Sequence, residues 1–279
     1  MLDYCSQIRY LTRRAKPGGV GKVRVVRAVI HTELDELIGD LASMGQLVTQ
    51  IMINSSAALL QADLALAELV IARSEEMDAQ HHDVEQRCIT LLALQATVAT
   101  DLRTVVAALH AVGCLQRMGN LARHTAMITR LTHPNLTVPD DVRPVIARMS
   151  LIASGLAHRA ATAIEKLDPL SGDQLARADD EIDELLRQLF RSLFAESWSH
   201  GVEPAVRAAL VGHYYERFAD HAVAIARQVD YLATGQMQSH FRPLRNPRHK
   251  APPANTRTPD QIADQKSASK LTEPLTATW

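Results

Sequence analysis

Two stretches lying one hundred positions apart share a residue order, and this duplication limits the possible folds more than any other feature. Residues 115–122 read LQRMGNLA and residues 214–222 read YYERFADHA. Gln116 aligns with Glu216, Arg117 with Arg217, Met118 with Phe218 and Asn120 with Asp220. Upstream, Glu75, Glu76, Met77 and Asp78 align with Asp180, Glu181, Ile182 and Asp183 at an offset of 105. Two matches at nearly one offset mean an internal repeat of roughly a hundred residues, each copy the size of a small domain.

Each copy reads as helix. Aromatics are only 4% of a chain that is 47% apolar, and Ala, Leu, Val, Glu, Arg and Gln dominate, which suits long helices rather than sheets. Ile30, Leu34, Leu37, Leu41, Met44, Leu47 and Ile51 recur at spacings of three and four, predicting a helix from about 29 to 60. Asp63 is placed to cap a second helix, running through Leu66 to Leu92 and ending near 95–100. Asp101 is placed to cap a third. A break at His133-Pro134 precedes a fourth helix over about 141–167, with Pro144 in its first turn. A turn at 169–173 leads to a fifth helix ending near Ser197. The sixth follows Gly201 and stops near Gly235.

Short loops between long amphipathic helices imply antiparallel neighbours. The expected fold is all-α, two tandem three-helix bundles over 27–133 and 139–235, made of six long helices. Residues 1–26 are expected to form a basic extension, and 240–279 a disordered, basic, Pro-rich tail.

The formal charge of −1 is unevenly spread. Residues 1–30 hold seven Lys and Arg against Asp3 alone, and 240–279 hold seven against three acids. The part between is therefore acidic, the reverse of a nucleic-acid-binding core. No run of 18 apolar residues predicts a membrane span, and no signal peptide is visible at the start. Cys5, Cys88 and Cys114 have no paired spacing and read as reduced thiols. Gly-rich phosphate loops and nucleophile elbows are absent, and His81, His82 and His110 have no partner ligands at metal spacing.

What remains is a set of carboxylates. On a wheel of ~100° per residue with Phe218 as origin, Val211, Tyr214, Ile225, Val229 and Leu232 form the apolar seam. Glu216 and Asp220 share the face away from it. On the preceding helix Asp180 and Glu184 likewise point away from Ile182, with Asp183 on the flank. Clustered carboxylates repel and need a compensating cation. Arg187, Arg217 and Arg227 could supply it in a solvated ion-pair face, or a hard divalent metal could sit among the oxygens. Spacing leaves both open. No ExxH pair supports a di-iron oxidase core. A metal-dependent helical enzyme using the same acids is the competing class, though an outward face offers no water-excluding pocket for chemistry.

Residues 91–103 (LLALQATVATDLR), ahead of the first motif copy, and residues 214–222 together resemble the PhoU family of phosphate transport regulators over roughly 27–235. The resemblance implies two three-helix bundles and a cytoplasmic, non-enzymatic homodimer that restrains the phosphate-starvation response. It would act as an adaptor between the ATPase subunit of the phosphate ABC transporter and the phosphate sensor histidine kinase. It also implies a metal, divalent or iron, held by an acidic ExxxD motif in each repeat. Glu216 and Asp220 match that motif, with Asp180 and Asp183 as the facing acids. Gln116 and Asn120 replace both carboxylates in the first repeat, so the metal is expected only in the second. Thr97 stands where the family has Pro. Val26 stands where family members start, which makes 1–25 a candidate start-site overcall. Neither nucleic-acid binding nor membrane insertion is implied.

Overall fold

In the computed structural model the described residues are 19–93, 99–168 and 172–235, with the side chains of 19–26, 99 and 172–176 excepted. They form six helices and no strand: α1 Gly19–Gln61, α2 Leu64–Ala93, α3 Ala99–Thr132, α4 Arg143–Lys166, α5 Gly172–Leu193 and α6 Val202–Thr234. The expected all-α architecture is what the chain adopts. The basic extension over 1–18, Cys5, Thr97 and the tail over 240–279 lie outside the described residues.

Several helix ends follow from local chemistry. Leu66 N–H donates to Asp63 Oδ1 at 3.0 Å, which makes Asp63 the N-cap of α2 as its position predicts. Pro144 sits in the first turn of α4, where a missing N–H costs nothing. Gly235 closes α6 in the left-handed region at φ 69°, a conformation glycine adopts without strain.

Other ends depart from expectation. α1 begins at Gly19, so 19–25 are helical rather than loose; Val20, Val23, Val25 and Val26 carry the pattern back with no proline to interrupt it. α5 ends at Leu193, four residues short of Ser197, because Ser192–Trp198 closes into turns instead. Asp101 lies inside the first turn of α3 rather than before it, and favours the positive helix end from there.

Within each half all three helices touch, and the halves join through α1 against α4 and α3 against α6. α1, α3, α4 and α6 thereby close a ring of neighbours, with α2 and α5 packed on its two sides. Leu37, Met44, Ile51, Met52 and Leu59 of α1, Leu115 and Met118 of α3, Ile146 and Met149 of α4, and Tyr215 and Phe218 of α6 are almost wholly buried in one continuous core. Each such side chain contributes ~1.5–3 kcal/mol by leaving water. Because α6 faces α3, α4 and α5 at once, its buried arc is wider than a single seam and is turned from the wheel expectation. Tyr215, Ala219 and Ala226 are buried, Tyr214 and Leu232 are half-buried, and Val206 and Leu210 are exposed.

The halves approach closely at two places. Tyr215 O–H donates to Ser56 Oγ at 2.8 Å, tying α6 to α1 across the halves, while the neighbouring Ser55 Oγ donates to Ala122 O at 2.7 Å and holds α1 to α3 within the first half. Gly45 of α1 faces Ala161 of α4 so closely that an added Cβ would lie 2.8 Å from the Ala161 Cβ.

Gly45→Leu should therefore pry α1 from α4 and cost about 1–3 kcal/mol in urea unfolding. Gly39, with nothing within 4 Å of an added Cβ, is the control: Gly39→Ala should gain about 0.5–1 kcal/mol. Equal effects at the two positions would contradict the close crossing.

Candidate functional site: an acidic cluster between α5 and α6

α5 and α6 lie close because Gly212 has no side chain; a Cβ there would meet Leu189 Cδ2 at 2.5 Å and Leu186 Cδ1 at 3.0 Å. This approach brings the acids of the two helices together. Glu216 and Asp220 are not on an open face. Their side chains are 17% and 20% exposed, and Glu216 Oε2 and Asp220 Oδ2 are cut off from solvent without a hydrogen-bond partner. Glu216 Oε2 lies 3.3 Å from His213 Nδ1, and Asp220 Oδ2 lies 3.7 Å from Arg217 Nη1. Both are Coulombic neighbours outside hydrogen-bond geometry.

Burial first, then the negative charges of Glu216, Asp179 and Asp183, push the Asp220 carboxyl up to about 7, against the pull of Arg217. Asp179 is raised by the same causes, burial first, with Asp183 and Glu216 among its neighbours and Arg227 opposing. The cluster is thus Asp179 and Asp183 from α5 and Glu216 and Asp220 from α6. The facing acids that the family resemblance implies, Asp180 and Asp183, differ from this set at one position. Asp180 is exposed, and Asp179, half-buried, turns towards α6 in its place. Two other described acids of α5 look outward: Glu181 accepts from Arg148 of α4 at 2.8 and 2.6 Å, and Glu184 pairs with Arg187 and Arg191.

The first repeat is built differently at the same places. Gln116 Nε2 donates to Asp78 Oδ1 at 3.1 Å, so the amide that replaces Glu216 satisfies the acid that corresponds to Asp183. Ser74 corresponds to Asp179; it is buried and donates to Ile71 O at 2.6 Å. Asn120 is half-buried, and Glu75 and Glu76 are exposed. One carboxylate stands where the second repeat has four.

The two motif copies also meet. His124 of α3 and Tyr214 of α6 pack edge to face with ring centroids 5.5 Å apart. Arg117 and Arg217 both bear on His221, whose ring is buried. Burial first, then the two guanidinium charges, push that histidine down to about 4, so it is neutral at pH 7.

The four-carboxylate donor set and its two buried, unpartnered oxygens suit a hard cation. Among the described residues, however, no three acids, histidines or cysteines converge at metal-ligand spacing, so the oxygens would have to draw together around an ion. Cys88 and Cys114 are free thiols, both pushed up by burial, Cys88 to about 11. No described helix is long and apolar enough to cross a membrane.

A duplicated three-helix unit with a motif on the third helix of each copy defines a class of all-α tandem-repeat proteins. The PhoU domain matches twice, at residues 41–129 and 146–229, and the chain belongs to the PhoU family. It is 42% identical over 210 residues to the phosphate-specific transport system accessory protein PhoU homolog 1 of Mycobacterium leprae, covering 75% of this chain and 95% of that one. Homolog 2 of Mycobacterium tuberculosis is also 42% identical, with 99% of its length covered. The homolog of Synechocystis is 33% identical over 219 residues, 76% of this chain and 94% of that one. The fold matches crystal structures of PhoU from Streptococcus pneumoniae, with TM-score 0.66, 23% identity and 75% and 98% of the two chains covered, and from Pseudomonas aeruginosa, with 0.67, 22%, 74% and 99%. These relatives are named as accessory and regulatory proteins of phosphate transport.

An acid whose folded-state pKa is raised loses stability as pH climbs. Below about 4 Asp220 is protonated in both states; between about 4 and 7 the unfolded chain gives up its proton first, and the native state falls behind. In metal-free buffer, raising the pH from 5 to 8 should destabilise the wild type relative to Asp220→Asn by about 1–3 kcal/mol. Parallel curves for the two proteins would show that Asp220 carries no such cost. In the first repeat, Gln116→Glu should set two carboxylates against each other and cost about 1 kcal/mol at pH 7, recovering near pH 4. A loss independent of pH would mean that the amide serves packing alone.

Proposed function

We propose that this chain is a cytoplasmic negative regulator of the phosphate-starvation response, an adaptor that couples the phosphate ABC transporter to the phosphate sensor histidine kinase. Family membership, with relatives named as accessory proteins of the phosphate-specific transport system, is the observation that carries the reading. Contact with the transporter's ATPase subunit and assembly as a homodimer belong to the same proposal. So does the division into a first repeat over 27–133 and a second over 139–235.

The acidic cluster is the part of this chain proposed to take a metal. Glu216, Asp220 and Asp183, with Asp179 in place of the exposed Asp180, are the oxygens that would hold it. When bound, the cation would supply the positive charge that four carboxylates lack. The chain's own residues hold these oxygens in place through the α5–α6 approach at Gly212. The first repeat is proposed to take none, since Gln116 already satisfies Asp78.

The test is a phosphate-responsive reporter in a strain lacking this gene and its paralogues. Output should stay high at ample phosphate and fall at least several-fold when the wild-type chain is restored. A reporter that ignores the gene would sink the regulatory reading. Metal content, measured on the purified chain, should be near one site's worth and lost in Glu216→Gln/Asp220→Asn; a metal-free wild type that still restores control would remove the metal while leaving the regulator.

A further inference from the structure

The loop between α3 and α4 and the start of α6 enclose a cavity of about 260 Å³. Two arginines and a histidine line it: Arg143 at the start of α4, and His200 and Arg207 flanking the start of α6. Arg207 stands nine residues before Glu216, ~14 Å along the helix, so this place is distinct from the acidic cluster.

Each of these side chains is paired with an acid, and one of these acids, Asp140, lines the cavity as well. Arg143 Nη2 lies 2.6 Å from Asp140 Oδ1, Arg207 pairs with Glu203, and His200 Nε2 lies 2.9 Å from Asp141 Oδ2. Asp140 and Glu203 are 82% and 81% exposed, and ion pairs in that setting are worth ~0–1 kcal/mol. The inner sides of the guanidinium groups differ. Arg143 Nε and Arg207 Nε are cut off from solvent with no acceptor, and Arg143 Nη2, though close to Asp140, is off hydrogen-bond geometry. A buried charged donor without an acceptor is costly. Turned towards the cavity, the two unpaired Nε donors, with Arg143 Nη2 held only by its Asp140 ion pair, would suit an acceptor that brings several oxygens and negative charge. The guanidinium fork matches a tetrahedral oxyanion. α6 begins beside them behind Gly201 with no side-chain cap, and its positive end adds to the potential.

We propose that this cavity binds a small tetrahedral oxyanion of the inorganic phosphate class, gripped by Arg143 and Arg207 with His200 as a third polar partner. Asp140 and Glu203 act as exposed counter-charges that an incoming anion must outcompete, which sets the affinity low and makes it adjustable. The full chain is titrated with inorganic phosphate by calorimetry, with chelator present so that a metal cannot mediate binding, and again with sulfate as competitor. Saturable phosphate binding is expected. Arg143→Gln and Arg207→Gln should each weaken it by about tenfold or more. Glu203→Gln and Asp140→Asn should tighten it about threefold, a change that damage to the fold cannot imitate. Sulfate that competes equally makes this a general oxyanion site, and sulfate that fails makes it phosphate-selective; either outcome supports the proposal. It is overturned by a wild type that shows no saturation, or by arginine and rim-acid variants that all bind like the wild type.

Discussion

Everything else in this chain depends on how closely α1 can approach the second repeat. A three-helix unit of about a hundred residues has one apolar stripe left over on its first and third helices, and neither copy can bury that stripe alone. Gly45 against Ala161 brings α1 to α4 at near-backbone distance. Ser55 and Ser56 then place two hydroxyls where α3 and α6 converge, accepting from Tyr215 and donating to Ala122 O. Those bonds are buried, so each polar group gains a partner in place of lost water, and a larger residue at either serine would strand one. The outcome is a single core shared by both copies rather than two bundles on a string.

The duplication explains why that core looks symmetric while the polar groups do not. Packing demands the same apolar positions in each copy, and Met118 and Phe218 are both fully buried. Nothing in the packing demands four carboxylates. The first copy shows the low-cost solution, in which an amide donates to the one remaining acid and Ser74 turns its hydroxyl back to its own helix. The second copy keeps Asp179, Asp183, Glu216 and Asp220 together, and burial, followed by the repulsion of the other three, pushes Asp220 up to about 7.

Helix number, most helix ends and the repeat were legible because they depend on local patterns: Asp63, Pro144 and Gly235 each act through their own neighbouring backbone. The orientation of α6 was less so. A wheel assumes one buried direction, but three neighbours bury Tyr215 and leave Tyr214 at the edge. The acidic site was legible in three of its four members. Asp179 was hidden because its counterpart in the first copy is Ser74, so the alignment of acids begins one residue later, at Asp180. Burial of Glu216 and Asp220 was hidden too, because the approach of α5 is allowed by Gly212, whose missing side chain leaves no mark in an apolar pattern. The cavity at Arg143 and Arg207 had no sequence signal, since its arginines lie 64 positions apart and are joined only by the fold.

The retention of the four acids is itself informative about where function resides. A raised carboxyl pKa means the folded state opposes ionisation that the unfolded chain permits, so at neutral pH the cluster subtracts from stability. The first repeat shows that this helical framework accommodates amides and a serine at those positions, with Gln116 bonded to Asp78 and Ser74 to Ile71 O. A feature that costs stability, and whose low-cost alternative exists one hundred residues away in the same chain, is not explained by folding. The proposed cation would gain from the same repulsion that raises Asp220, because it supplies on binding the positive charge these acids lack.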